Sequence, residues 1–181
     1  MTKIGVLSDT HVFDSGRRQV PTAVFELFKQ EGVSRILHGG DIVAWPLIEA
    51  LEAIAPVSVV RGNNDPGSYG LPNSLRLQIE GVTIGLAHGD VAIRSPKPIK
   101  GIKGNGSTAA NALSHFADEP IDCCVFGHSH NPLSHVIELA GREVLLFNPG
   151  SPTDRRYSPH FGCGILTVEG DKLSAKLVVW T

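Results

Sequence analysis

The chain has 181 residues, 41% of them hydrophobic and 19% charged, with a formal net charge of -2. That suits one domain spanning 1–181 with a sizeable core, and it gives no global electrostatic reason to expect polymeric nucleic acid as a partner. No apolar run approaches the roughly 20 residues of a membrane span, and three cysteines, Cys123, Cys124 and Cys163, offer no disulfide framework; a reducing cytoplasm is the expected location.

The first residues, "MTKIGVLSDTH", read as a strand that turns polar rather than as a signal peptide. Strand-length apolar runs then recur at 4–8, 35–38, 57–60, 83–87 and 122–126, each stopped by glycine or a polar cluster. Helical patterns lie between several of them. Residues 21–31 open on Pro21, place Val24, Leu27 and Phe28 on one face and close at Gly32. Residues 46–55 open on Pro46 and align Leu47, Ile48, Leu51 and Ile54; residues 107–117 start at Ser107 and carry Ala109, Ala112, Leu113 and Phe116. Hairpins are expected about Glu80-Gly81, Ala140-Gly141 and Gly170-Asp171. Strand–helix alternation, then antiparallel pairs, predicts an α/β sandwich with mixed sheets.

The residues just beyond each run are more informative. The strand ends carry Asp9-Thr10-His11, Gly40-Asp41, Gly62-Asn63-Asn64-Asp65, His88-Gly89-Asp90 and Gly127-His128-Ser129-His130. Ligands in open α/β sheets bind beyond the carboxyl ends of strands, so five such ends supplying Asp, His and Asn predict one convergent site. A lone Asp there is usually a cap and a lone His a satisfied polar residue; the set together is what carries weight.

In this order, "DTH", "GGD", "GNND", "HGD" and "GHSH", with the "NPGS" loop at 148–151, the chain resembles the calcineurin-like metallophosphoesterases, and most of all their small bacterial and archaeal phosphodiesterase branch. The resemblance runs from Asp9 to Ser151 and implies two packed mixed β-sheets flanked by helices. It also implies a dinuclear metal site. Asp9, His11 and His130 would hold one ion, Asn63, His88 and His128 the other, and Asp41 would bridge them.

Such a donor set suits Mn, or else Fe, Zn, Co or Ni, and is too rich in nitrogen for a dedicated Mg or Ca site. Two such ions supply a bridging hydroxide near neutral pH and disperse charge on a phosphoryl group. Two divalent cations less two carboxylates and a hydroxide leave one positive charge, matching the single negative charge of a phosphodiester. The expected activity is therefore hydrolysis of a small phosphodiester, including nucleotides, with weak action on phosphomonoesters. The alternative is a metal-binding scaffold of the retromer-subunit type. A homo-oligomer is compatible with either.

Asn64 stands where many family phosphatases have a histidine that helps protonate the leaving oxygen. An amide cannot act as an acid near pH 7 but can donate to a phosphate oxygen, so Asn64 is expected at the substrate, together with Arg155 and Arg156, whose guanidinium groups suit bidentate phosphate contact. The alternative for Asn64 is turn geometry, and for the arginines surface ion pairs. His38 either orients a ligand or is a core histidine bonded to backbone. Asp65 and Asp90 read as turn caps. "NPGSP" reads as a tight loop whose backbone N–H groups are candidates to position a ligand. Residues 91–117 contain no acidic residue and hold Arg94, Lys97, Lys100 and Lys103; this basic loop reads as solvated and mobile, with a phosphate-neutralising lid as the alternative. His115, His135 and His160 are expected to be structural or surface residues.

Overall fold

A computed structural model describes residues 1–13, 16 and 18–181. Among these residues, ten strands form two five-stranded mixed sheets. In the first, β1 (Thr2–Leu7), β2 (Arg35–His38) and β3 (Val57–Val59) run parallel, and β9 (Phe161–Glu169) and β10 (Lys172–Trp180) extend the β1 edge antiparallel, in the order β10-β9-β1-β2-β3. In the second, β5 (Val82–Ala87), β6 (Cys123–Val125) and β8 (Arg142–Asn148) run parallel between antiparallel β4 (Ser74–Ile79) and β7 (Leu133–Leu139), in the order β4-β5-β6-β8-β7. The two helices α1 (Thr22–Glu31) and α2 (Pro46–Glu52) pack on the first sheet and α3 (Gly106–Ser114) on the second.

The period of two along each strand sorts side chains between layers. Ile4 and Val6 of β1 meet Ile84, Leu86 and Phe147 between the sheets, while Leu7 turns to Phe28 and Leu51 of the helices. The same rule divides the adjacent cysteines: Cys123 faces the inter-sheet core and Cys124 the layer under α3. All three cysteines are buried thiols. Phe147 is fully buried and lies where a side chain on Gly164 would collide with its ring. Truncating such an aromatic costs about 3–5 kcal/mol.

α1 begins after Pro21 and ends on Gly32, whose φ of 66° supplies the left-handed closing turn. α3 is shorter than its apolar pattern. Ser114 Oγ donates back to the Asn111 carbonyl at 2.6 Å, a local bond that competes with helix continuation, so Phe116 packs beyond the helix end. The three expected hairpins form, with Ile79 opposite Val82, Leu139 opposite Arg142 and Glu169 opposite Lys172. No helix among the described residues is long and apolar enough to cross a membrane.

The parallel centre of each sheet decides where chemistry can gather. β1, β2 and β3 leave through 9–11, 39–41 and 62–65; β5, β6 and β8 leave through 88–90, 127–130 and 148–151. Both triplets deliver these segments to one edge of the sandwich.

Candidate metal centre

Asp9, His11, Asp41, His88 and His130 are all buried. Two clusters bring their ligand atoms within 4.8 Å of one another: Asp9, His11 and His130, and Asp9, Asp41 and His88. In the first, His11 Nε2 and His130 Nε2 face each other at 3.2 Å, with their rings stacked, and His130 Nε2 is 3.4 Å from Asp9 Oδ1. Beside the second, Asn63 Oδ1 lies 3.2 Å from His88 Nε2 and 3.0 Å from His128 Nδ1. Asp41 joins the two, because its Oδ2 is 3.5 Å from His11 Nε2 and 3.5 Å from His88 Nε2. All seven expected ligand positions thus converge.

The backbone is bent to make this possible. Asp9, His11, Asp41, His128 and His130 all have φ between 43° and 61°. Left-handed conformations of this kind cost non-glycine residues about 1–3 kcal/mol each and persist where the surroundings over-determine them. Here the surroundings are cross-loop bonds: Asp9 N donates to Gly40 O and His11 N to Asp41 O, each at 2.9 Å, and His128 N donates to the Asp9 carboxylate at 3.0 Å. The glycines of these loops allow the approach. A side chain at Gly62 would strike the Asp41 carboxylate, and one at Gly127 would sit 2.6 Å from Asp9 Oδ2.

The hydrogen bonds also fix tautomers. His88 Nδ1 lies 2.7 Å from the Gly39 carbonyl and His130 Nδ1 bonds the Asp154 carbonyl, so each carries a proton on Nδ1 and turns Nε2 inward. Burial lowers His11 and His128 below the usual imidazole range and brings His130 to about 4, keeping these rings neutral. The carboxylates respond differently to the same burial. Burial raises Asp9 to about 7. Burial also opposes ionisation of Asp41, but the bond and charge of His88 and two Asn64 N–H groups hold it well below the usual carboxylate range. Burial disfavours the charged form of His88, yet the Asp41 bond and the charges of Asp9 and Asp41 bring it up to about 9. Inward ring nitrogens around two buried carboxylates form a donor set in which the proton on His88 supplies positive charge that a bound cation would replace. It fits divalent cations, with Asp9, His11, Asp41 and His130 on one side and Asp41, Asn63, His88 and His128 on the other.

Asn64 is placed differently from expectation. Its Nδ2 donates to Asp41 Oδ2 at 2.7 Å and its backbone N to Asp41 Oδ1 at 2.8 Å, so its amide is spent on orienting the shared carboxylate. Arg155 likewise turns away: its Nη1 donates to the Pro159 carbonyl at 2.9 Å and its guanidinium covers the Phe161 ring. Arg156 differs from its neighbour. It is exposed, makes no side-chain hydrogen bond among the described residues, and its charge is felt at Asp9, His11, His128 and His130.

His38 resolves as a structural residue. It is fully buried, Nδ1 accepts from Gly40 N at 3.2 Å and Nε2 meets Thr10 Oγ1 at 3.1 Å. Burial lowers it to about 3, so a neutral ring knots the first two ligand loops together. Asp65 caps its turn through Gly62 N and reaches further, to Asp41 N and Val43 N, all within 2.9 Å. In the 148–151 loop Gly150 N donates to Asn148 Oδ1, while Ser151 Oγ donates to Asp9 O and accepts from Thr153 N and Asp154 N just beyond the loop.

Two supporting residues carry no signal in the motifs. Asp154 holds His130 through a main-chain carbonyl, which any residue type could offer. Buried Asn105 accepts from Ser129 Oγ at 2.7 Å and from Asn148 Nδ2 at 3.2 Å, and donates to Asn131 O at 3.2 Å. It anchors the end of the basic loop beneath the histidines, so that segment is tethered at 105 while Lys97, Lys100 and Lys103 stay exposed.

Comparison with known proteins agrees with this geometry. The family model of the calcineurin-like phosphoesterase superfamily domain matches residues 2–171. The chain is 35% identical over 178 residues to a probable metallophosphoesterase of Methanothermobacter thermautotrophicus, across 97% of this chain and 91% of that one. In fold it is similar to zinc-complexed Vps29 of Entamoeba histolytica, with a TM-score of 0.69 at 23% identity over 99% of this chain and 98% of that one. It is also similar to an archaeal phosphodiesterase, with a TM-score of 0.64 at 21% identity over 98% of this chain and 100% of that one. The match over nearly the whole chain and the convergent donor set lead to one conclusion: this chain belongs to the calcineurin-like phosphoesterase superfamily.

Proposed function

We propose that residues 1–181 form one metallophosphoesterase domain that hydrolyses a small phosphodiester and acts weakly on phosphomonoesters. The observation that carries this reading is the sharing of Asp41: a single carboxylate oxygen stands 3.5 Å from a histidine nitrogen of each half, the arrangement a two-ion clamp on a phosphoryl group requires. Divalent ions bound there, Mn foremost, bring the pKa of water toward neutrality and neutralise charge on the phosphoryl oxygens.

The chain's own residues do the rest. Asn64 orients Asp41 through two N–H donors, and Asp65 holds the Asp41 and Gly62 backbones in place. Arg156 supplies positive charge at the rim for an anionic substrate. No side chain at 64 can hand a proton to a departing alkoxide, which favours leaving groups that need none. General acid assistance is typically worth 10²–10⁴-fold.

The test is turnover by Mn-loaded protein of a diester and a monoester that share one aryl leaving group. Faster diester hydrolysis is expected, and a clear monoester preference overturns the reading. Two bound ions per chain with no turnover of either would instead favour a metal-binding scaffold.

A further inference from the structure

A cavity adjoins the metal centre. The segment after His88 is fastened to the end of α3: Asn111 Nδ2 donates to Gly89 O at 3.1 Å, Ile93 N donates to Ser114 Oγ at 3.0 Å, and His115 Nε2 lies 3.0 Å from Val91 O. Across from it, Arg61 N bonds Pro72 O at 2.8 Å, pinning the start of the Asn63 loop beside Asn73. Between these two walls lies a cavity of about 520 Å³ lined by Arg61, Asn73, Asp90, Val91, Ile93 and His115. That volume lies within the ~300–1,000 Å³ of typical small-molecule sites. The cavity reaches Gly62, one residue from Asn63, and Asp90, two residues from His88.

Its chemistry is uncommitted. Among the described residues, the side chains of Arg61, Asn73 and Asp90 make no hydrogen bond or ion pair with protein, and Asp90 is half-buried. Asp90 lines the cavity two residues beyond His88, so it links the cavity to the open half of the centre. One cation and one carboxylate cancel, so the cavity offers nothing to a second full charge. A carboxylate beside amide and guanidinium donors instead matches hydroxyl groups, which both donate and accept; carboxylates bind ribose hydroxyls in this way. Val91 and Ile93, 61% and 65% exposed, add apolar contact for the carbon skeleton.

We propose that this cavity binds the uncharged, vicinal-hydroxyl arm of the phosphodiester, with Asp90 accepting from its hydroxyls and Arg61 and Asn73 donating to them. This rests on the phosphodiesterase reading, because only a diester has a second arm to place there. Ribose and open-chain glycerol share the chemistry.

The test uses p-nitrophenyl diesters whose second arm is methyl, glycerol or 5′-uridyl, with Mn-loaded protein. A hydroxylated arm is expected to exceed methyl in kcat/KM by roughly tenfold, the size of one charge-assisted hydrogen bond. That ratio should collapse toward one in Asp90→Ala, and shrink in Asn73→Ala, whose exposed side chain makes no hydrogen bond among the described residues. Uridyl above glycerol identifies a sugar ring as the source, and glycerol equal to or above uridyl an open chain. Equal kcat/KM for all three arms overturns the cavity assignment and leaves the phosphodiesterase reading standing. If no diester turns over, that reading fails by itself, and calorimetry decides the cavity. Tighter binding of glycerol methyl phosphate than of dimethyl phosphate, lost in Asp90→Ala, supports it; equal binding overturns it.

Discussion

The two halves of the metal centre are built from similar donors but are not alike. On the first side Asp9, His11 and His130 are 0%, 5% and 0% exposed, the two rings stack, and main-chain bonds from neighbouring loops hold them from behind. On the second side His88 is buried, but Asn63 is exposed and His128 half-buried, and the rings meet edge to face. Asp41 belongs to both. The difference teaches that burial and access are divided within one centre. The closed half is arranged to retain an ion, and the open half faces solvent, Asp90 and the adjoining cavity, where a substrate would arrive.

Removing the shared residue should have the largest effect, because it damages both halves at once. Asp41→Ala is expected to drop bound metal below one ion per chain and to lower diester turnover by at least about 10³-fold, the upper range for losing a principal electrostatic group. Metal analysis beside a turnover assay checks both. Retention of two ions would show that Asp41 does not join the halves.

The asymmetry itself can be broken by chelation. Dilute EDTA should strip Mn-loaded protein in two kinetic phases, the fast one from the exposed half. Asn63→Ala should remove the fast phase and leave about one tightly held ion, while His130→Ala should remove the slow phase. A single phase in the unaltered protein, or loss of the slow phase in Asn63→Ala, would contradict the division. A smaller effect is expected at Asn64, which orients Asp41 rather than holding an ion. Supporting residues of this kind typically cost 10–100-fold in metal affinity or activity. Asn64→Ala should fall in that range, and Asn64→His should raise monoester turnover relative to diester.

The same division explains what can be read from sequence. Side chains that meet through their own atoms announce themselves by type and spacing, so the convergence of Asp9, His11, Asp41, Asn63, His88, His128 and His130 is legible. So are the strands and hairpins, whose apolar periods face real layers. Support delivered through the main chain is silent: the Asp154 carbonyl behind His130 leaves no trace in residue type, and the Asn105 link spans 24 positions to Ser129. Roles that depend on direction are also hidden. A donor at 64 fits a substrate oxygen or the Asp41 carboxylate equally well, and only the positive φ of Asp41 together with its closeness to Gly62 turns that carboxylate toward Asn64.

Adjacent arginines give the finest test of which groups face the open half. Arg155 is tied to Pro159 and lies 5.5 Å from the centroid of the Phe161 ring, so its contribution is to local packing. Exposed cation–π contacts are worth about 0.5–1 kcal/mol. For a chain of this size that corresponds to a Tm lower by roughly 1–4 °C in Arg155→Ala, with KM unchanged. Arg156 has the left-handed φ of 46°, which turns the chain sharply after Arg155, and its exposed guanidinium makes no hydrogen bond or ion pair among the described residues. A charge-assisted bond to phosphate is worth up to about tenfold in binding, but solvent screens an exposed cation. Arg156→Ala should therefore raise KM for a diester by only about threefold, with kcat and Tm nearly constant, and the difference should fade as salt is raised. Equal KM effects from the two substitutions would mean that the turn at Arg156 does not separate their roles.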